Sequence, residues 1–168
     1  MIIRYFFFLF LVIVAISFGC VSEQTKLKTG PTRTLYYVSE VISGDTIFLE
    51  GVGRVRYIGV SAPKQSLSGK HDEPFSAECK RENERLLAGK WCRYELDKEE
   101  VERDKTTLAY VFARADGEEI LVNAHLLEQG LARFSPSTVN TKYYERLLSA
   151  ESTAKRNKRG MWARTSAE

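Results

Sequence analysis

Three short β-favouring runs, joined by turns too tight to hold a helix, occupy the stretch from Thr34 to Val60 and limit what the chain can become. The first run is Leu35, Tyr36, Tyr37 and Val38, continued by Val41 and Ile42. Ser43-Gly44-Asp45 turns it into a second run, Thr46 to Leu49, and Gly51 and Gly53 turn it again into a third, Arg54 to Val60. β-Branched and aromatic residues bounded by glycine read as strands in series. A polar loop from Ser61 to Glu73 follows, punctuated by Pro63 and Pro74. Ser76 to Ala88 then reads as a helix, with Ser76 as N-cap and Gly89 as its stop. Trp91 to Asp97 and Leu108 to Ala113 alternate like strands. Asp116-Gly117 turns the chain toward a helix, Val122 to Gln129, ended by Gly130, and Tyr143 to Asn157 is the last helix. Three strands, a helix, two strands and two helices suit a small closed barrel with helices packed on it, an α+β fold.

The 168 residues, 43% hydrophobic and 28% charged, suit one compact domain plus a targeting segment. Arg4 is the first charge, and Tyr5 to Gly19 carries none before Cys20. Residues 1–19 therefore read as a lipoprotein-type signal with Cys20 as the lipidated anchor. An uncleaved anchor over Tyr5 to Val21 and free secretion are the alternatives, and all three place the domain outside the cytoplasm. Residues 20–33 form a polar tether closed by Gly30-Pro31, residues 34–164 the domain, and residues 165–168 a tail. Removing residues 1–19 takes away only Arg4 of 25 basic residues, leaving 24 against 22 acidic ones, a net charge of +2. That small excess argues against a strong generic grip on nucleic acid. The basic group Lys155, Arg156, Lys158 and Arg159 reads as a solvated helix face at a negative dipole end.

Val41-Ile42-Ser43-Gly44-Asp45-Thr46-Ile47 resembles the Asp-Gly-Asp-Thr turn of the staphylococcal nuclease family, and Arg56-Tyr57-Ile58-Gly59-Val60-Ser61-Ala62-Pro63 its arginine-led strand ending in Asp-x-Pro-Glu. Pro74-Phe75-Ser76-Ala77-Glu78, Leu87-Ala88-Gly89-Lys90 and Glu95-Leu96-Asp97 follow in the family's order. So do Arg103-Asp104-Lys105, Leu108-Ala109-Tyr110-Val111-Phe112, Asp116-Gly117, Val122-Asn123, Glu128-Gln129-Gly130 and Gly160-Met161-Trp162. The resemblance implies an OB-fold five-stranded β-barrel with three helices. It also implies an endonuclease that hydrolyses phosphodiesters with one calcium ion, a glutamate serving the attacking water, and two phosphate-binding arginines.

Carried over position by position, that chemistry survives only in part. Asp45 matches a calcium carboxylate and Arg56 the first phosphate arginine. Ser61 stands where the second calcium carboxylate belongs, Ala62 where a threonine does, and Lys64 where the general-base glutamate does. Ser43 replaces the acidic residue opening the turn. After Asp104-Lys105, Thr106 and Thr107 lead straight to Leu108, so the motif is about two residues short and has no second arginine. One aspartate, a carbonyl and waters make a weak calcium site. Arg56 and Lys64 together offer a phosphate or another acidic group a metal-free site; alternatively Asp45 caps its turn and pairs with Arg56. His71, Asp72 and Glu73 are candidate local substitutes for a ligand or base, or a solvated loop. His125 reads as structural. Tyr36, Tyr37, Tyr57, Tyr110 and Phe112 are stacking residues or barrel wall. Cys79 and Cys92 form a bridge in an oxidising exterior or stay two separate core thiols. Three functions stay open: a degenerate module binding nucleic acid or another phosphate-bearing partner, a working metal-dependent endonuclease with a rebuilt site, and a structural module of the cell envelope.

Overall fold

The computed structural model describes residues 34–66, 72–102 and 104–164. The expected signal, Cys20, the tether to residue 33, His71, Arg103 and the tail lie outside them. The barrel opens as the sequence pattern requires. β1 (Tyr36–Ser43) pairs antiparallel with β2 (Thr46–Leu49), and β2 with β3 (Gly53–Tyr57). In β2, Ile47 and Leu49 point into the core while Phe48 points out, the period-2 alternation of a strand with one wet face.

After β4 (Val60–Ser61) and helix α1 (Ser76–Leu87), β5 (Trp91–Glu95) pairs with β1, and β6 (Thr107–Ala115) pairs with β5. β6 also runs parallel to β3, matching Val55, Arg56 and Tyr57 with Thr107, Leu108 and Ala109. That contact joins the first half of the chain to the second and closes five strands into a barrel, leaving neither β3 nor β6 as a bare edge. β7 (Glu118–Leu121) extends β6 as a hairpin and runs directly into α2 (Val122–Glu128). β8 (Arg133–Phe134) pairs with β4, and α3 (Tyr144–Arg156) and a 3₁₀ turn (Gly160–Arg164) complete the domain. Ala109 to Ala113 in β6 are all buried, because α2 packs on this strand as well as the barrel interior.

Two buried asparagines tie helices to the barrel. Tyr57 donates its hydroxyl to Asn83 Oδ1 of α1 at 2.8 Å, and Asn83 Nδ2 donates to the Ser43 carbonyl at 2.8 Å. Asn123 of α2 accepts the Val111 N–H at 2.9 Å and donates to the carbonyls of Ile58 at 2.9 Å and Ala109 at 3.3 Å. These side chains bond α1 and α2 directly to groups of the barrel, so hydrogen bonding fixes helix position where apolar packing alone tolerates sliding.

Several expectations are corrected. The third strand does not run to Val60. Gly59, at φ +75°, breaks it, and a Cβ there would lie 2.5 Å from Leu147 Cδ1 of α3, so the chain leaves the barrel and pairs with β8 instead. Asp116 and Gly117, with φ +51° and +86°, form a hairpin turn into β7 before any helix begins. Ser76 is the buried first residue of α1, not its cap. Phe75 precedes it in the left-handed region at φ 70° with no side-chain cap bond. Tyr57, Tyr110 and Phe112 are buried in the core, while Tyr36 packs on Tyr94 and Tyr37 on Trp91. Tyr57, Tyr110 and Phe112 are therefore barrel wall, the second of the two readings.

Outside the barrel, Glu95 accepts hydrogen bonds from Lys142 Nζ at 2.5 Å, from Tyr143 Oη at 2.8 Å and from Arg93, which also holds Glu119 and lies over the Phe112 ring. Burial pushes the Glu95 pKa up, but these three donors outweigh it and hold the carboxyl at about 2, down from 4.5. A depressed folded pKa stabilises above the unfolded value and loses that contribution as pH falls through the folded one. Thermal stability should therefore drop between pH 4.5 and about 2. Glu95→Gln should flatten that part of the curve, and an unchanged slope in the variant would show that other carboxylates control it.

Candidate functional site

The turn between β1 and β2 is pressed hard against its surroundings. A Cβ on Gly44 would lie 2.8 Å from the Ala62 Cβ and inside the sulfur of Cys79. Only glycine lets the turn reach α1 and the segment after β4. Asp45, 8% exposed, follows it with both carboxylate oxygens engaged. Oδ1 accepts from the Ser43 hydroxyl at 2.9 Å and the Thr46 hydroxyl at 3.0 Å, and Oδ2 accepts from the Ala62 N–H at 2.9 Å. The carboxylate therefore clamps the Ser61-Ala62-Pro63 segment to the turn.

Arg56 stands on β3 opposite Thr46. Its Nη1 lies 3.7 Å from Glu102 Oε2, with the two side chains 45% and 35% exposed. The pairing with Asp45, one of the two readings left open, is replaced by this one, because the local hydroxyls and an amide already satisfy Asp45. Lys64 is exposed, and among the described residues it bonds through its backbone: its N–H donates to Glu73 Oε2 at 2.9 Å and its carbonyl accepts the Glu73 N–H at 3.0 Å. Asp72 likewise accepts the Ser66 N–H at 2.7 Å. Those two loop carboxylates close the loop on itself, so the substitutes expected from the sequence serve backbone amides.

Asp45, Thr46, Arg56, Ser61, Lys64 and Ser66 line one open cleft of about 480 Å³. A second cleft of about 260 Å³ shares Arg56 and Ser61 with it and is bounded by Glu102, Ser135, Ser137 and Asn140. The fold thus assembles Asp45, Arg56 and Lys64 in one place. It adds Glu102, Ser135 and Ser137, which sequence reasoning missed. No spacing pattern joins these residues to the turn motif; the β4–β8 and β3–β6 pairings bring them there. The shortened loop before β6 is tightly closed: Glu102 donates to the Thr106 carbonyl at 2.8 Å, Lys105 to the Glu102 carbonyl at 3.0 Å, and Thr106 to Asp104 Oδ1 at 3.0 Å. Lys105 takes φ 67° at its tip. Where the family resemblance implies an arginine, the described loop presents Glu102 to Arg56.

These residues do not fit a calcium ion. Calcium takes six to eight oxygens, with affinity rising with carboxylate count. Asp45 is the one carboxylate lining the larger cleft among the described residues, and three of its acceptor positions are already filled. Among the described residues no group of three or more His, Cys, Asp or Glu side chains is placed to share a metal.

Beneath the turn, Cys79 is buried with its sulfur 3.7 Å from the Gly44 carbonyl. Burial, and then the Asp45 charge, push its thiol up to about 12; burial does the same to Cys92. Both are free thiols, so the bridge weighed between them is not formed, and their role here is packing. His125 Nε2 lies 2.7 Å from Glu82 Oε1, joining α2 to α1, a structural contact away from the cleft.

Comparison with known proteins agrees with this fold. A family model described as staphylococcal nuclease homologue matches residues 54–164. A thermonuclease of Staphylococcus hyicus is 32% identical over 165 residues, covering 91% of this chain and 95% of that protein. A thermonuclease of Staphylococcus intermedius is 31% identical over 142 residues, covering 83% of this chain and 82% of its own length.

Proposed function

The chain belongs to the staphylococcal nuclease family, and from that premise we propose that this member binds phosphate-bearing ligands, nucleic acid first among them, without hydrolysing them. The domain acts outside the cytoplasm, held at a membrane through its N-terminal segment with Cys20 as the lipidated residue. The observation that carries the loss of hydrolysis is the state of Asp45: its carboxylate is spent on Ser43, Thr46 and Ala62. Ser61 and Lys64, at the positions of a metal carboxylate and the general base, supply neither. Loss of a general base costs roughly 10²- to 10⁴-fold, and loss of a transition-state donor on the order of 10²- to 10³-fold.

Binding is supported by what the cleft keeps. Arg56 presents a planar fork and Lys64 a point charge on one open surface. Glu102 competes for Arg56 across 3.7 Å, but an ion pair this exposed is worth at most about 1 kcal/mol, and a dianionic phosphate displaces it. Two exposed cations opposed by two carboxylates make a weak site, with Kd of about 10⁻³ to 10⁻⁴ M that weakens as salt rises.

Digestion of plasmid and single-stranded DNA and RNA by the purified chain, with calcium, with other divalent ions and with chelator, tests the reading. Cleavage should stay at trace level in every condition. Robust digestion that both chelator and Asp45→Asn abolish would restore the family's endonuclease activity to this chain and end the proposal.

A further inference from the structure

The two most exposed large apolar side chains of the described domain are Trp91, 60% exposed, and Leu35, 54% exposed. Tyr37 is the cross-strand partner of Trp91, with ring centroids 5.6 Å apart in an edge-on arrangement, and Leu35 lies two residues before Tyr37 in the chain, just ahead of β1. The barrel core does not need this face, since Val38 and Cys92 fill the interior beside it. Neither cleft uses it, and among the described residues Trp91 stays exposed. Exposed Trp91 on half-buried Tyr37, with exposed Leu35 two residues along, is more apolar surface than the barrel needs for folding.

Where the face sits says what covers it. The described chain begins at Thr34, directly beside Leu35, and the stretch before it holds the uncharged run Tyr5 to Gly19. We propose that Leu35, Tyr37 and Trp91 form a membrane-interface footing on which the domain rests against the bilayer that anchors it. This inference rests on the anchored reading given above. Tryptophan and tyrosine, each an apolar body with a polar edge, are the side chains that concentrate at the headgroup level. Lys90 is exposed next to Trp91, with its ammonium on the Arg85 carbonyl, and Lys26, Lys28 and Arg33 precede the patch against the single acidic residue Glu23. That charge suits anionic headgroups, and Glu50, which donates its N–H to the Tyr37 carbonyl, is an acidic residue close to the face. The tether read from the sequence over residues 20–33 is short enough to hold the patch near the surface, at an effective concentration on the order of millimolar. A footing too weak to recruit a free domain is therefore occupied in a tethered one. On this geometry the anchor sets distance and the patch sets orientation, fixing which way the phosphate-facing cleft points.

The chain carries two tryptophans, which makes the test direct. Trp162→Phe leaves Trp91 as sole reporter, and Trp91→Phe leaves Trp162, whose ring packs under Lys155 and Arg133. The full-length chains are reconstituted into vesicles of phosphatidylcholine and phosphatidylglycerol containing lipid brominated near the headgroup. Flotation reports anchorage, and fluorescence reports the footing. Trp91 emission should be quenched and blue-shifted on vesicles while Trp162 emission stays as in buffer, and Leu35→Ser with Tyr37→Ser should reduce the Trp91 quenching without changing flotation. Chains that float with Trp91 unquenched overturn the footing and leave the anchor standing. Chains that do not float, with Trp91 unquenched, overturn both. If Trp162→Phe does not fold, the difference between wild type and Trp91→Phe supplies the same readout.

Discussion

Asn123→Ala is expected to destabilise the domain by about 3 kcal/mol, lowering the melting temperature by roughly 10 to 15 °C for a domain of this size. Asn123 is fully buried and serves three backbone groups on two different segments. Its oxygen takes the Val111 N–H, and its amide serves the carbonyls of Ile58 and Ala109. Alanine removes the Asn123 partner of the buried Val111 N–H and Ile58 carbonyl, while the Ala109 carbonyl keeps the Ile58 N–H at 3.0 Å. Orphaned buried groups cost about 1 to 3 kcal/mol each, and partial relaxation keeps the total below the sum. Asn123→Asp should be comparably damaging for a different reason: a carboxylate would face two carbonyl oxygens with nothing to donate. The effect reaches the cleft, because Ile58 is two residues beyond Arg56 on the same wall. Thermal melts and amide exchange on both variants check this. A melting shift under about 3 °C in Asn123→Ala would mean that neighbouring groups already satisfy these atoms.

The sequence made the barrel legible because its signals are local. Glycine turns at Gly44, Gly51 and Gly53 sit where β1, β2 and β3 meet, and each helix starts and stops within a residue or two of its apolar period. It did not reveal β7, β8 or the break at Gly59, since those depend on contacts between distant segments. Gly59 turns because Leu147 of α3 packs against it, and no window around Gly59 contains that residue. The cleft divides in the same way. Asp45, Arg56 and Lys64 were legible as positions in an ordered motif, and the fold does bring them together. That Asp45 would be spent on its own turn was one of two readings left open, because a carboxylate beside serine and threonine caps a turn or binds an ion with the same residues. That Glu102 would take Arg56 was not legible at all: it follows from the parallel β3–β6 contact, which brings Arg56 opposite Leu108 and so beside the shortened loop.

Lys64→Glu should weaken phosphate binding about tenfold and give the chain a calcium affinity in the millimolar range, without changing its fold. The fold argument comes first. Among the described residues Lys64 contributes only its N–H and carbonyl, both to Glu73, so its side chain is free to change. At an exposed rim a unit charge about 4 Å away is worth roughly 1 kcal/mol or less. Reversing the sign removes one attraction and adds one repulsion, hence about 1 to 2 kcal/mol and about a factor of ten in Kd. For calcium the introduced carboxylate joins Asp45 at the same cleft, but Asp45 stays bonded to Ser43, Thr46 and Ala62, so the gain stops at the weak end of about 10⁻³ M. Asp45→Asn should act in the opposite sense on phosphate, since it deletes the negative charge that offsets Arg56. Amide-resonance titrations with a nucleoside bisphosphate in chelator, then with calcium alone, measure both affinities. The phosphate difference should shrink as salt rises past about 0.15 M, where the Debye length falls to about 8 Å. Equal phosphate affinity in wild type and Lys64→Glu at low salt would place the ligand elsewhere on the barrel. Strong calcium binding by the wild type would mean that Asp45 releases its turn for a metal, and the assignment of that carboxylate as a structural clamp would fall with it.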